Sequence, residues 1–150
     1  MNSPDGCSTF LVRHAWLSLR GVVAEALVAH ELSVAQFASL LMLNDTPGMS
    51  VADVARKVST ARQSANEMLA GLERAGLVER RPNPNDRRSQ RIYLTDAGRV
   101  RLDEALPTVR AVEAKLSEGF SAEEIAVVAA WLTRMTQAEQ STTTEEISTC

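Results

Sequence analysis

Cysteine, tyrosine and long apolar runs are scarce in this chain, and each shortage excludes something. Only two cysteines occur in 150 residues, Cys7 and Cys150, near opposite ends. They make no disulfide framework, so a reducing, cytoplasmic setting is expected. The two cysteines and two histidines have no paired ligand spacing, and no structural metal site is expected. No apolar run approaches the ~18–20 residues of a membrane span. The first residues carry Asp5 and no basic cluster, and no long apolar stretch follows, so a secretory leader is not expected either. Aromatics make up only 4%, with Ala, Leu and Val plentiful, which favours helices over a sandwich or barrel. There is no glycine-rich phosphate loop and no nucleophile elbow, so neither enzymatic activity nor a bound cofactor is expected. What is present is the material of one ordinary domain, 45% hydrophobic, 23% charged and with a net charge of −3. Taken whole, that acidic balance argues against a nucleic-acid partner.

The charge is not spread evenly, however. Residues 1–50 hold two basic against four acidic side chains, and residues 102–150 hold three against nine. Between them, residues 51–101 hold eleven basic and six acidic side chains, a net +5. The densest stretch, Arg80 to Arg101, has seven arginines and two acids. Arginine suits phosphate contact and groove insertion better than lysine does. A solvated charged face is the plain alternative, and the surrounding pattern decides between them.

Helical spacing of Val12, Ala15, Trp16, Leu19, Val22, Val23, Ala26 and Leu27 predicts a helix from about Thr9 to His30. Ser33 with Gln36 is a capping box opening a second helix through Phe37, Leu40, Leu41 and Leu43, which Thr46-Pro47-Gly48 stops. Ser50 with Asp53 opens a short helix carrying Val51, Val54, Ala55 and Val58. After a turn at Ser59, Thr60 with Gln63 repeats the signal for a helix that buries Ala65, Met68, Leu69 and Leu72 and ends at Gly76. Two short capped helices around a three- to four-residue turn make a helix-turn-helix. Residues 77–81 then read as a strand, 82–86 as a turn-rich tip and 90–94 as the return strand, a hairpin with an arginine-loaded tip. Thr95 caps a long helix with Pro107 inside it, where a backbone hydrogen bond is lost and a kink is expected. Ser121 and Glu124 start the last helix, and its segment Ile125 to Leu132 is apolar on every side. Such a helix is buried all round, which in a chain of this size calls for a second subunit. Residues 141–150, rich in Ser, Thr and Glu, read as a disordered tail.

With these elements in place, two segments carry a family resemblance. One is Gly71-Leu72-Glu73-Arg74-Ala75-Gly76-Leu77-Val78-Glu79-Arg80, and the other runs from Asn85-Asp86-Arg87-Arg88 through Leu94-Thr95-Asp96-Ala97-Gly98. The sequence resembles the MarR family of bacterial winged helix-turn-helix transcriptional regulators, whose pattern is L-E-x-x-G-L-V-x-R, a D-R-R wing and an L-T-x-x-G helix start. The resemblance implies a mainly α fold with a small β-hairpin wing (α+β), in which a reading lobe over residues 33–99 sits on a helical dimerisation scaffold from 9–32 and 100–140. It also implies a homodimer that represses transcription from a pseudo-palindromic double-stranded DNA operator and is released by a small phenolic or lipophilic effector. Symmetry alone sets half-sites about one helical turn, ~10 base pairs, or a multiple of it apart.

On the reading helix the apolar stripe leaves Arg62, Gln63, Ser64 and Asn66 facing outward near its start. Arg pairs bidentately with guanine, and Gln or Asn with adenine. The Thr60 hydroxyl and the helix N-terminus are suited to a phosphate. In the wing, the family pattern pairs Asp86 with Arg88, the carboxylate holding the guanidinium extended for the minor groove, while Arg87 and Arg91 are read as phosphate contacts. His14, Trp16, Arg20 and Phe37 are the candidate effector-pocket residues, although Trp16 belongs to the apolar stripe, where such a residue is more often core, and a solvated position is the plain alternative for His14 and Arg20. Cys7 lies close to where a subgroup of the family carries a hydroperoxide-sensing thiol, but the tyrosines that surround such a thiol are missing, Tyr93 being the only one. Peroxide sensing through Cys7, and a winged-helix lobe that binds protein and not DNA, are the two alternatives.

Overall fold

Capping boxes set where three of the helices begin, as their spacing predicts. In the computed structural model, which describes residues 6–58 and 60–145 and side chains as far as residue 137, the Ser33 hydroxyl accepts the Gln36 N–H at 3.1 Å and the Gln36 side chain accepts the Ser33 N–H at 2.9 Å. Ser50 and Asp53 repeat the exchange, and the Ser50 hydroxyl also donates to the Asp53 carboxylate at 2.7 Å. That hydrogen bond, helped by the nearby Arg56 guanidinium, holds the Asp53 carboxyl below its ordinary pKa against the opposing effect of burial. Ser121 and Glu124 form the third box.

The fourth expected box does not form. Thr60 is held through its backbone, its N–H donating to the Ala55 carbonyl at 3.0 Å. The helix starts beyond Ala61, which has no side-chain cap bond, and Gln63 turns along the helix to Glu67 at 3.4 Å. The Thr60 N–H, which a reciprocal box would give to Gln63, is thus already taken, and Ala61 stands at the cap position. Ser59, the expected turn residue, lies outside the described residues.

The elements are α1 (Ser8–Leu27) followed by a 3-10 turn at Val28–His30, α2 (Val34–Asp45), β1 (Met49–Ser50), α3 (Val51–Lys57), α4 (Arg62–Arg74), β2 (Val78–Asn83), β3 (Asp86–Leu94), α5 (Asp96–Leu116) and α6 (Ala122–Glu145). The antiparallel sheet runs β1-β3-β2, with Met49 opposite Ile92 and Val78 opposite Leu94. Both wing strands reach further toward the tip than expected. Pro82 sits inside β2 because β2 is an edge strand, where a residue without an N–H costs no ladder bond. A register shift at Pro82/Asn83 then lets the chain turn in two residues. Gly76, at φ +75°, ends α4 in the left-handed region that only glycine enters without strain.

The chain divides into two compact units, Met1–Val112 and Glu113–Cys150. In the first, Leu27, Leu40, Leu43, Val54, Leu69, Leu72 and Ile92 are fully buried at the centre of one core that Leu77, Val78, Leu94, Leu102 and Val109 continue. Each such side chain contributes ~1.5–3 kcal/mol on leaving water. Thr95 closes this unit, its N–H donating to the Leu77 carbonyl at 3.1 Å while its hydroxyl donates to the Gly76 carbonyl at 2.6 Å and accepts the Gly98 N–H at 3.0 Å. α5 runs on through Pro107 as a single helix. Only Val23 and Leu27 of the α1 stripe are buried, and Trp16 is 50% exposed.

In the second unit the burial expected for residues 125–132 is not supplied by the chain itself. Val127 is 70% and Trp131 44% exposed, and Val128, Leu132 and Met135 are also open. α6 extends to Glu145, which corrects the expected tail over 141–145, because no Gly or Pro follows Gly119 to stop it. Residues 146–150, Cys150 among them, lie outside the described residues. No single helix among the described residues is long and apolar enough to cross a membrane.

Candidate nucleic-acid interface

α4 owes its orientation to its own sequence. Ala65, Leu69 and Leu72 are buried, which turns Arg62, Gln63, Ser64 and Asn66 to the outside. A cleft of about 640 Å³ lies beside that outer face. One wall is the start of α3 (Ser50, Val51, Ala52), another is Arg62, Gln63 and Asn66 of α4, and the wing closes it with Arg80, Arg88, Ser89 and Gln90. Among the described residues three guanidinium groups line this cleft and no carboxylate does. Among the described residues neither Arg62 nor Arg88 has an ion-pair partner. The N-terminus of α4, without a side-chain cap, adds N–H donors and the positive end of the helix dipole.

Of the residues expected to contact DNA, the structure therefore brings Arg62, Gln63, Asn66 and Arg88 to one cleft. Thr60, Ser64 and Arg87 are exposed and are not part of its lining. Arg91 has an internal partner as well, since its guanidinium donates to the Gly48 carbonyl at 3.0 Å and ties β3 to the turn before β1. That bond makes it first a structural strut. The wing pair differs from expectation. Asp86 meets Arg88 through the backbone, its Oδ1 accepting the Arg88 N–H at 2.9 Å, and among the described residues no ion pair joins the two side chains. In so tight a turn the carboxylate reaches the nearer N–H, and the exposed guanidinium has no ion-pair partner among the described residues.

Arg80 was not singled out from the sequence. Its Nε donates to Glu73 at 3.1 Å and its Nη1 to the Asn66 side-chain oxygen at 3.0 Å, and its side chain is only 15% exposed. The available signal was strand alternation: Arg80 shares a face with Val78, whose burial directs that face inward. Arg81, on the other face, stacks over the Tyr93 ring at 4.4 Å and pairs with Glu79.

The proposed effector residues take different positions in the chain. Phe37 is 7% exposed within the core, His14 stacks against Phe10 with ring centroids 4.1 Å apart, and Trp16 and Arg20 are exposed on α1. Phe37 is thus a core residue, because α2 needs it to cover the lobe. None of the four lines the cleft or the smaller cavity of about 120 Å³ at the wing root beside Tyr93. Cys7 is exposed and is the N-cap of α1.

Comparison with known proteins follows the same geometry. The family model described as the MarR family matches residues 32–90. The HTH-type transcriptional repressor Rv2887 of Mycobacterium tuberculosis is 36% identical over 107 residues, covering 71% of this chain and 77% of the relative. Among solved structures, the transcriptional repressor CouR bound to a 23-mer DNA duplex superimposes with a TM-score of 0.81 at 28% identity, over 91% of this chain and 96% of that one. A MarR-family transcriptional regulator from Silicibacter pomeroyi gives a TM-score of 0.80 at 26% identity, over 91% and 92%.

Proposed function

The chain belongs to the MarR family, and on that premise we propose that it is a cytoplasmic, homodimeric transcriptional repressor that reads a pseudo-palindromic operator with α4 and the wing. The observation that carries this reading is the cleft in which Arg62, Gln63 and Asn66 of α4 face Arg88 of the wing, with no carboxylate in the lining among the described residues. In the proposed complex Arg62, Gln63 and Asn66 contact base edges in the major groove, and Ser64 lies beside them. Thr60 and the uncapped start of α4 meet a phosphate, as does Arg87, and Arg88 enters the minor groove. Arg91 supports the wing from behind and lends its remaining N–H groups to the backbone. The function contains no chemical step. Release by a small phenolic or lipophilic effector belongs to the same reading and is what the family resemblance supplies. Dimerisation covers the apolar face of α6, which one chain leaves open.

The test is binding to duplex DNA at two salt concentrations. With about two phosphate contacts per lobe, doubling the salt is expected to weaken binding roughly tenfold. No binding at low salt would instead favour the protein-interaction reading of the lobe. Arg88→Ala is expected to cost roughly 1–3 kcal/mol of operator affinity. An unchanged dissociation constant at fixed salt would remove Arg88 from the interface.

A further inference from the structure

Asn66 does not present a free amide to the cleft. Its side-chain oxygen accepts from Arg80 Nη1 at 3.0 Å, and its backbone carbonyl accepts from Nη2 at 3.4 Å. The third guanidinium nitrogen, Nε, is held by Glu73, two turns further along α4. Arg80 is thus fixed at three points against α4, while Asn66 itself is exposed. A guanidinium has donors only. The Asn66 amide must therefore turn its oxygen toward Arg80, and the NH2 group is the end left over.

We propose that Arg80 sets the hydrogen-bonding face of Asn66, so that this position selects a base edge rich in acceptors, guanine O6/N7 or thymine O4. Reading adenine with an asparagine requires the amide oxygen to accept from N6 while the nitrogen donates to N7. Arg80 takes one of that oxygen's two lone pairs and fixes the amide with its oxygen toward the wing, an orientation that disfavours this bidentate pairing. Arg80 is a positioning residue for a contact that Asn66 makes. The inference rests on the DNA-reading function proposed above and adds the base that one position prefers.

The experiment selects binders from a pool of randomised double-stranded DNA with the full-length protein and three variants, each first checked for cooperative thermal unfolding. Asn66→Ala identifies the operator position read by residue 66 as the one whose preference it flattens. At that position the wild type is expected to favour G or T over A by about tenfold. Arg80→Met, which frees the amide to rotate, is expected to bring A to within about threefold of the best base. Asn66→Asp keeps the Arg80 contact but offers only acceptors, and is expected to move the preference to C, whose N4 amino group donates. If Arg80→Met proves unable to fold, the Asn66→Asp profile decides alone.

A wild-type preference for A at that position, no position flattened by Asn66→Ala, or an unchanged base profile in Arg80→Met with only affinity reduced would each overturn the proposal. So would retention of G or T by Asn66→Asp. Failure of the wild type to enrich any DNA would bring down the DNA-binding reading as well, which separates the two failures.

Discussion

Gly98→Ala is expected to lower the midpoint of thermal unfolding by about 10 °C at fixed protein concentration, a loss of at least ~3 kcal/mol. A Cβ at this position would stand 2.0 Å from the Leu77 carbonyl oxygen and 3.0 Å from its carbon. Both obstacles are backbone, so no side chain can swing aside. The same carbonyl accepts the Thr95 N–H, and the Thr95 hydroxyl accepts from Gly98, so any retreat of α5 breaks the bonds that lock it to the base of the wing. Gly71→Ala is the matched control. It too is a helical glycine, but its Cβ would meet only the ends of the Arg74 and Gln36 side chains at 3.8 Å. That substitution is expected to be neutral or to stabilise by up to ~1 kcal/mol, because alanine loses less backbone entropy in a helix. Equal melting of the two variants and the wild type would show that α5 can move off the Leu77 carbonyl at no cost.

The Gly98 effect also shows what the sequence could and could not disclose. Thr95 and Gly98 stand in a recognisable pattern, and the cap was readable from it, but the approach of a carbonyl from residue 77 depends on packing between elements. Capping boxes at Ser33, Ser50 and Ser121 were readable because both partners lie three residues apart. Thr60 carried the same spacing and failed, since the Ala55 carbonyl had already taken its N–H. β1 was not readable at all: two residues long, it is a strand only because β3 lies alongside, and Met49 and Ile92 are far apart in the chain. The outward face of α4 followed from its apolar stripe, and with it Arg62, Gln63 and Asn66. Arg80 and Arg91 looked in the sequence like further members of a charge run. Their bonds to Asn66, Glu73 and Gly48 cross between elements, so only the fold separates them from Arg88, which those bonds leave free to act. The net charge of −3 is likewise an average, over an arginine-rich lobe set between acidic ends.

Changing both Val128 and Trp131 of α6 to Asp is expected to halve the mass in solution and weaken operator binding between a hundredfold and ten-thousandfold, ~3–5 kcal/mol. The argument begins with burial. Along α6, Val127, Val128, Trp131, Leu132 and Met135 are all open to solvent in a single chain. Large contiguous apolar surface of this kind marks an interaction site. Two carboxylates there meet little resistance in the monomer, but in a symmetric contact each would be buried against its own apolar surroundings twice over. The lobe should keep its own thermal transition, since its core draws on residues 23–109. Affinity falls because two linked lobes engage their half-sites with a high effective concentration, whereas a lone lobe binds one half-site by itself. Mass by light scattering and binding to DNA selected by the wild type measure the two effects separately. A mass still equal to two chains would move the interface elsewhere. A halved mass with unchanged affinity would mean that one lobe suffices, and the pseudo-palindromic operator would then have no physical basis.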